Sequence, residues 1–129
     1  MKTHEAITLK KHLSRLAEMD QKSPLDLSGA VRLKIAKTIR KCENVEADFE
    51  KVRIGLVRAK GTADADGNFN IERNTPAFNG FMAAIDEALG ADAEGVPAVN
   101  FTDEDLKIEK NKIPIDVLNG LIAVGALRE

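Results

Sequence analysis

Between Ser28 and Lys60, the residues Val31, Ile35, Cys42, Val45, Phe49, Val52 and Leu56 fall at alternating four- and three-residue steps, with Thr38 filling the one gap. That spacing is an a/d heptad series over about four repeats, and it commits the stretch to one long helix. At ~1.5 Å per residue such a helix spans on the order of 45 Å. A seam of that length needs a cover, supplied by a later segment of the chain or by a second chain. Leu33, Ile39, Ile54 and Val57 lie off the seam, so the pattern predicts that more than one face is buried. Gly55 is the weak point, costing ~1 kcal/mol relative to alanine in a helix interior.

Local signals supply the other elements. Thr3 has the chemistry of an N-cap for a first helix to about Gln21, with Ala6, Leu9, Leu13 and Leu16 on one face. Lys22-Ser23-Pro24 stops it, because proline disfavours helical geometry at the residue before it. Ser28 is the N-cap of the long helix and Gly61 its close. The stretch 62–68 reads as a turn, and Phe69-Asn70-Ile71-Glu72 alternates as a short strand. Thr75-Pro76 opens a third helix, lined on one side by Phe78, Phe81, Met82, Ile85 and Leu89 and ended by Gly90. Residues 95–101 are predicted extended, with Pro97 favouring an edge. Thr102-Asp103-Glu104-Asp105 is a helix start with acids at the positive end of the dipole, and Leu106 to Lys112 reads equally as helix or loop. A last helix runs from near Ile113-Pro114 to Val124, stopped by Gly125, and all five phenylalanines fit a core. The fold class is therefore mainly α with a minor β part, a single domain over residues 1–129. Residues 1–60 form a long helical hairpin, and 61–129 a compact α/β element whose small hairpin and helix pack at one end.

The formal charge of −2 conceals a strong polarity. Residues 1–60 carry a net +6, residues 61–105 a net −9 with Arg73 as the sole base, and residues 106–129 a net +1. Such a molecule is dipolar, which favours salt-dependent association with another copy or an oppositely charged partner. Apolar residues at 43% and charged residues at 31% exclude a disordered, collagen-like or disulfide-scaffolded chain. The one cysteine, Cys42, excludes an intramolecular disulfide and fits a reducing compartment. No apolar run approaches the ~20 residues of a membrane span, and the first residues hold no apolar signal core. The expectation is a soluble protein with no membrane partner.

Asp64-Ala65-Asp66-Gly67-Asn68 resembles the centre of a calcium-binding EF-hand loop. With Gly67 at the sixth position, however, Thr62 stands where the first acid belongs and Arg73 where the bidentate glutamate belongs. An Asp-Gly turn accounts for the motif better, and no metal or other cofactor is predicted. His4 and His12 lack ligand-spaced companions and read as surface histidines. Cys42 sits on the apolar seam, the position of a buried structural thiol. Paired acids such as Asp86-Glu87 and Asp103-Glu104 fall on helix starts and faces where solvated carboxylates are the norm, and no phosphate-binding glycine loop is present. No enzyme is predicted.

The remaining surface signal is basic. Arg32, Lys34, Lys37, Arg40 and Lys41 occur with no acid between Leu27 and Cys42, and Lys34, Lys37 and Lys41 share one helical face. Such a stripe can contact phosphates. Base readout and strand stacking also need aromatics beside it, and the chain has neither Trp nor Tyr. Glu43, Glu46, Asp48 and Glu50 follow directly, so a solvated polar face, or one meeting an acidic protein, accounts for the stripe better than nucleic acid does. The candidate partner surface is thus Arg32, Lys34, Lys37, Arg40 and Lys41, with Asp64 and Asp66 on the acidic side.

From about Phe49 to Ile122 the order of features is also suggestive. A charged helix ends in Lys60-Gly61, and the Asp64-to-Ile71 turn follows. Then come the Phe78–Leu89 amphipathic helix, the acidic Thr102–Leu106 start and the terminal Ile113-Pro114-Ile115-Asp116-Val117-Leu118. This series resembles a group of small proteins carried by tailed bacteriophages and prophages. The resemblance implies a phage or prophage origin and a protein-binding role, and it carries over no functional residues. The expected function is non-enzymatic protein–protein interaction, as an oligomer through the long helix or with another component. That component belongs to virion assembly or to a host protein that is inhibited, placing the chain in the bacterial cytoplasm or the virion. The alternative is a nucleic-acid-associated protein using the basic stripe.

Overall fold

The computed structural model describes residues 1–96 and 98–128. In chain order these form α1 (Thr3–Lys22), α2 (Gly29–Lys60), β1 (Thr62–Ala63), β2 (Phe69–Asn70), α3 (Pro76–Gly90), α4 (Asp103–Leu106), α5 (Ile108–Asn111) and α6 (Ile115–Ala123). The chain is mainly α with a minor β part, and a long helix pair dominates it. The edge position expected of Pro97 lies outside the described residues.

Helix α2 starts where Ser28 accepts a hydrogen bond from the Val31 N–H at 3.1 Å, and ends where the Gly61 N–H donates to Val57 at 2.7 Å. A Cβ at Gly61 would lie 2.6 Å from the Val57 oxygen and 2.8 Å from that of Asn70, so close backbone approach requires glycine there. The N-cap expected at Thr3 falls one residue earlier. Thr3 is buried, and both its N–H and its hydroxyl donate to the Ala91 carbonyl, at 2.8 and 3.0 Å. The hydroxyl therefore ties α1 to the end of α3 and is not available to cap its own helix.

The seam is covered from within the chain. Ala6, Leu9, Leu13 and Leu16 of α1 are fully buried in one core with Val31, Ile35 and Cys42 of α2, and Thr38 is buried among them. Beyond the reach of α1, helix α3 packs on α2, leaving Val45, Phe49 and Leu56 half-buried and Val52 47% exposed. The further buried faces expected from Leu33 and Ile54 do not form: these residues are 55% and 42% exposed. At 100° per residue both point well over about 100° away from the seam, beyond the reach of its cover. Ile39 and Val57, on its flank, are half-buried. The phenylalanines are corrected likewise. Phe101 alone is fully buried, Phe49, Phe78 and Phe81 are half-buried, and Phe69 is 39% exposed on the two-residue strand β2.

The C-terminal third closes the other side of α1. Val117 and Leu121 of α6 are fully buried, and Asp116 pairs with Arg15 of α1. Asn111, at the end of α5, holds the α1–α2 connection. Its Oδ1 accepts from the Asp26 N–H at 2.7 Å, while its Nδ2 donates to the carbonyls of Asp26 and Leu106 at 3.1 and 2.7 Å. The stretch that read ambiguously from sequence is broken twice by left-handed residues, Lys107 at φ +45° and Lys112 at φ +50°. The final helix spans Ile115–Ala123 with Pro114 as its N-cap, and Gly125 follows at φ +75°.

Candidate functional site

The sequence-predicted cations divide once the chain is folded. Arg32 faces α1, where its guanidinium grips the Asp20 carboxylate at 3.0 and 3.1 Å and the Leu25 carbonyl at 2.7 Å. Asp20 also accepts the Leu25 N–H at 2.8 Å. The Arg32 bonds, then that N–H, hold its carboxyl below the usual range. Arg32 is thus a clamp on the hairpin connection. Lys34 is half-buried, donating to the Asn100 carbonyl with its ammonium 4.5 Å from the centre of the Phe101 ring, a cation–π contact.

Lys37, Arg40 and Lys41 are exposed and make no ion pair among the described residues. Lys37 and Lys41 line a shallow groove of about 500 Å³ between α2 and residues 98–100, together with Lys34 and the exposed Leu33. Arg40 lines a different groove of about 320 Å³ beside α1, floored by Leu16, Leu27, Ile35 and Ile39. The predicted stripe is therefore three open cations on two grooves.

Asp64 and Asp66 do not join them. Asp64 is consumed by its own turn, accepting from the N–H groups of Asp66 and Asn68 at 2.9 and 3.0 Å and from Asn70 Nδ2 at 3.3 Å. Gly67, at φ +82°, completes a hairpin in which Thr62 pairs with Asn70 and Ala63 with Phe69. Asp66 is exposed in that loop, which folds back beside Arg53, Ile54, Val57 and Arg58 near the end of α2, three turns or more from Lys41.

Of the acids that do accompany the cations, Asp92 and Glu94 escaped sequence reasoning. Asp48, Asp92 and Glu94, all exposed, line a cleft of about 340 Å³ where residues 91–94 meet α2 beside Val45 and Val52. Asp48 stands seven residues after Lys41, a heptad that returns it to the same side of the helix. That interval was the available signal. Asp92 and Glu94 reach the cleft only through tertiary structure.

Elsewhere the chemistry is quiet. Cys42 is fully buried, and burial pushes its thiol up to about 11. His4 is exposed, but the surface position expected for His12 is corrected. His12 is half-buried, its ring lies against Gly120 of α6, and its Nδ1 is enclosed with no hydrogen-bond partner among the described residues. No group of three His, Cys, Asp or Glu side chains converges among the described residues. No helix in them is long and apolar enough to cross a membrane. No family model, curated protein or solved structure matches the chain.

Proposed function

We propose that this chain is a non-enzymatic protein of tailed-phage or prophage type that works by binding protein, as a copy of itself or as another component of virion assembly or host inhibition. The observation that carries the reading is the open flank of α2, where Lys37 and Lys41 make no ion pair among the described residues and stand beside the exposed Leu33. Charged rims around an exposed apolar residue suit a protein partner, which needs both desolvation and charge matching. The phage assignment rests on the order of features between Phe49 and Ile122, and with it a place in the bacterial cytoplasm or the virion. The test is affinity capture from infected and uninfected bacterial lysates, comparing the natural chain with a Lys37→Glu, Arg40→Glu, Lys41→Glu variant. A partner retained by the first and lost by the second is expected. Identical capture by both refutes the reading.

Nucleic acid is the second reading, favoured by the same three unpaired cations. Counterion release from about three phosphate contacts predicts a log–log salt slope near −3 for duplex DNA. Phe101 gives it no help, since the ring is fully buried beneath Lys34 and closed to base stacking. Fluorescence anisotropy with DNA and RNA decides: no binding at about 50 mM salt eliminates it.

A further inference from the structure

One flank of α2 is self-complementary, and we infer that it pairs with the same flank of a second copy, antiparallel, in a two-fold symmetric dimer. The inference rests on the protein-binding reading above and names its partner.

The groove beside residues 98–100 is cationic, through Lys34, Lys37 and Lys41. The cleft beside residues 91–94 is anionic, through Asp48, Asp92 and Glu94. One helical turn separates Lys41 from Val45, where the second begins, and at 100° per residue Lys37, Lys41 and Asp48 point within about 40° of one another. Both therefore open on the same side of α2, positive toward its start and negative toward its end. A two-fold interface demands this arrangement, because residue i must meet residue j while j meets i. A parallel partner would set Lys37 beside Lys37, whereas an antiparallel one brings Lys37 and Asp48 together in both halves, with Lys51 on the rim.

The register follows from the same residues. With the two-fold axis crossing α2 between Cys42 and Glu43, Lys37 lies level with the partner's Asp48. The same register sets Leu33, 55% exposed, at the level of the partner's Val52, 47% exposed in its own chain, about 100° apart around the helix, so that the two border the contact on opposite edges. It also sets Ala30 level with the partner's Gly55. Gly55 lies on this flank, and a Cβ there would meet nothing within 4 Å in its own chain. Two small residues at each end of the contact allow close approach of the helices. Of the other acids of the α2 run, Glu46 is engaged by Lys10 and Glu50 by Arg53, and Glu43 lines the groove on the opposite flank with Arg40, which leaves Asp48 as the acid on this side free to accept a new cation.

The experiment is sedimentation equilibrium of the purified chain from 1 to several hundred micromolar, at low and high salt. The natural chain is expected to dimerise and to weaken with salt. Lys37→Glu and Asp48→Lys should each raise the dissociation constant at least about tenfold, since each creates two like-charge contacts per dimer. The combined K37E, D48K variant should return it to within about threefold of the natural value, because the swapped charges pair again. Lys37 and Asp48 are both exposed, and circular dichroism verifies that each variant is folded. A chain that is monomeric throughout, or a swap that fails to restore association, overturns the inference. If that monomer still captures a lysate partner that Lys37→Glu loses, the protein-binding reading stands without self-pairing.

Discussion

Replacing Gly120 with alanine should change sign according to what stands at position 12. Gly120 is interior to α6, where alanine is worth ~1 kcal/mol more than glycine in helix propensity. The three heavy atoms nearest to a Cβ built there all belong to the His12 ring, which the new methyl would overlap. The ring is half-buried on α1, so relieving the overlap means shifting a packed side chain or parting two helices, a cost of about 1–3 kcal/mol. The net effect of Gly120→Ala is a loss of ~0–2 kcal/mol, or up to roughly 8 °C in melting temperature for a domain of this size. In a His12→Ala background the obstruction is gone, and the same change should stabilise by ~1 kcal/mol. Urea denaturation of the four proteins gives the coupling, expected at about 1–3 kcal/mol. Equal effects in both backgrounds would refute the packing of α6 on α1 through this contact.

Gly61→Ala should destabilise by on the order of 2 kcal/mol, because both obstructing atoms are backbone oxygens; an unchanged urea midpoint would contradict this. Cys42 should resist a thiol reagent at pH 8 in the native chain and react promptly in denaturant; rapid native labelling would show the seam to be open. Acid should destabilise the fold. Asp20, beside Arg32, Asp26, beside Lys110 and Lys107, and Asp116, beside Arg15, all titrate lower folded than unfolded. Their contribution is thus present above about pH 4 and lost as pH falls through the folded values. Melts between pH 7 and pH 2.5 test this, and Asp26→Asn should flatten the dependence; an identical profile would exclude the Lys107–Lys110 clamp. Asn111→Ala should cost ~1–3 kcal/mol, since it strands the N–H of Asp26 and the carbonyls of Asp26 and Leu106; a neutral result would mean that water replaces them.

Legibility from sequence followed the range of the forces involved. The caps at Ser28, Thr75 and Thr102 were readable because a cap is satisfied within three residues; Thr75 accepts from Phe78 at 3.2 Å and Thr102 from Asp105 at 3.0 Å. The α2 seam was readable because its period persists over many turns. Thr3 misled because its partner, Ala91, lies far along the chain. Residues 106–112 resisted because Lys107 and Lys112 adopt left-handed backbone that lysine does not advertise. The site followed the same rule. Lys37 and Lys41 were visible as a stripe, but Arg32 and Lys34 are withdrawn from it by Asp20 and Asn100, neither of which periodicity could nominate.

Helix α1 draws its final contacts from the far end of the chain, Arg15 from Asp116 and His12 from Gly120. During synthesis the α1–α2 hairpin therefore leaves the ribosome, with one side bare, before the residues that cover that side. At 5–20 residues per second, reaching Ala123 takes on the order of 3–12 seconds. For that interval the nascent hairpin offers an apolar side to anything nearby. A chain truncated after Lys60 and released should accordingly bind a dye for exposed apolar surface that the whole chain ignores, and a chaperone acting on this protein has its window there.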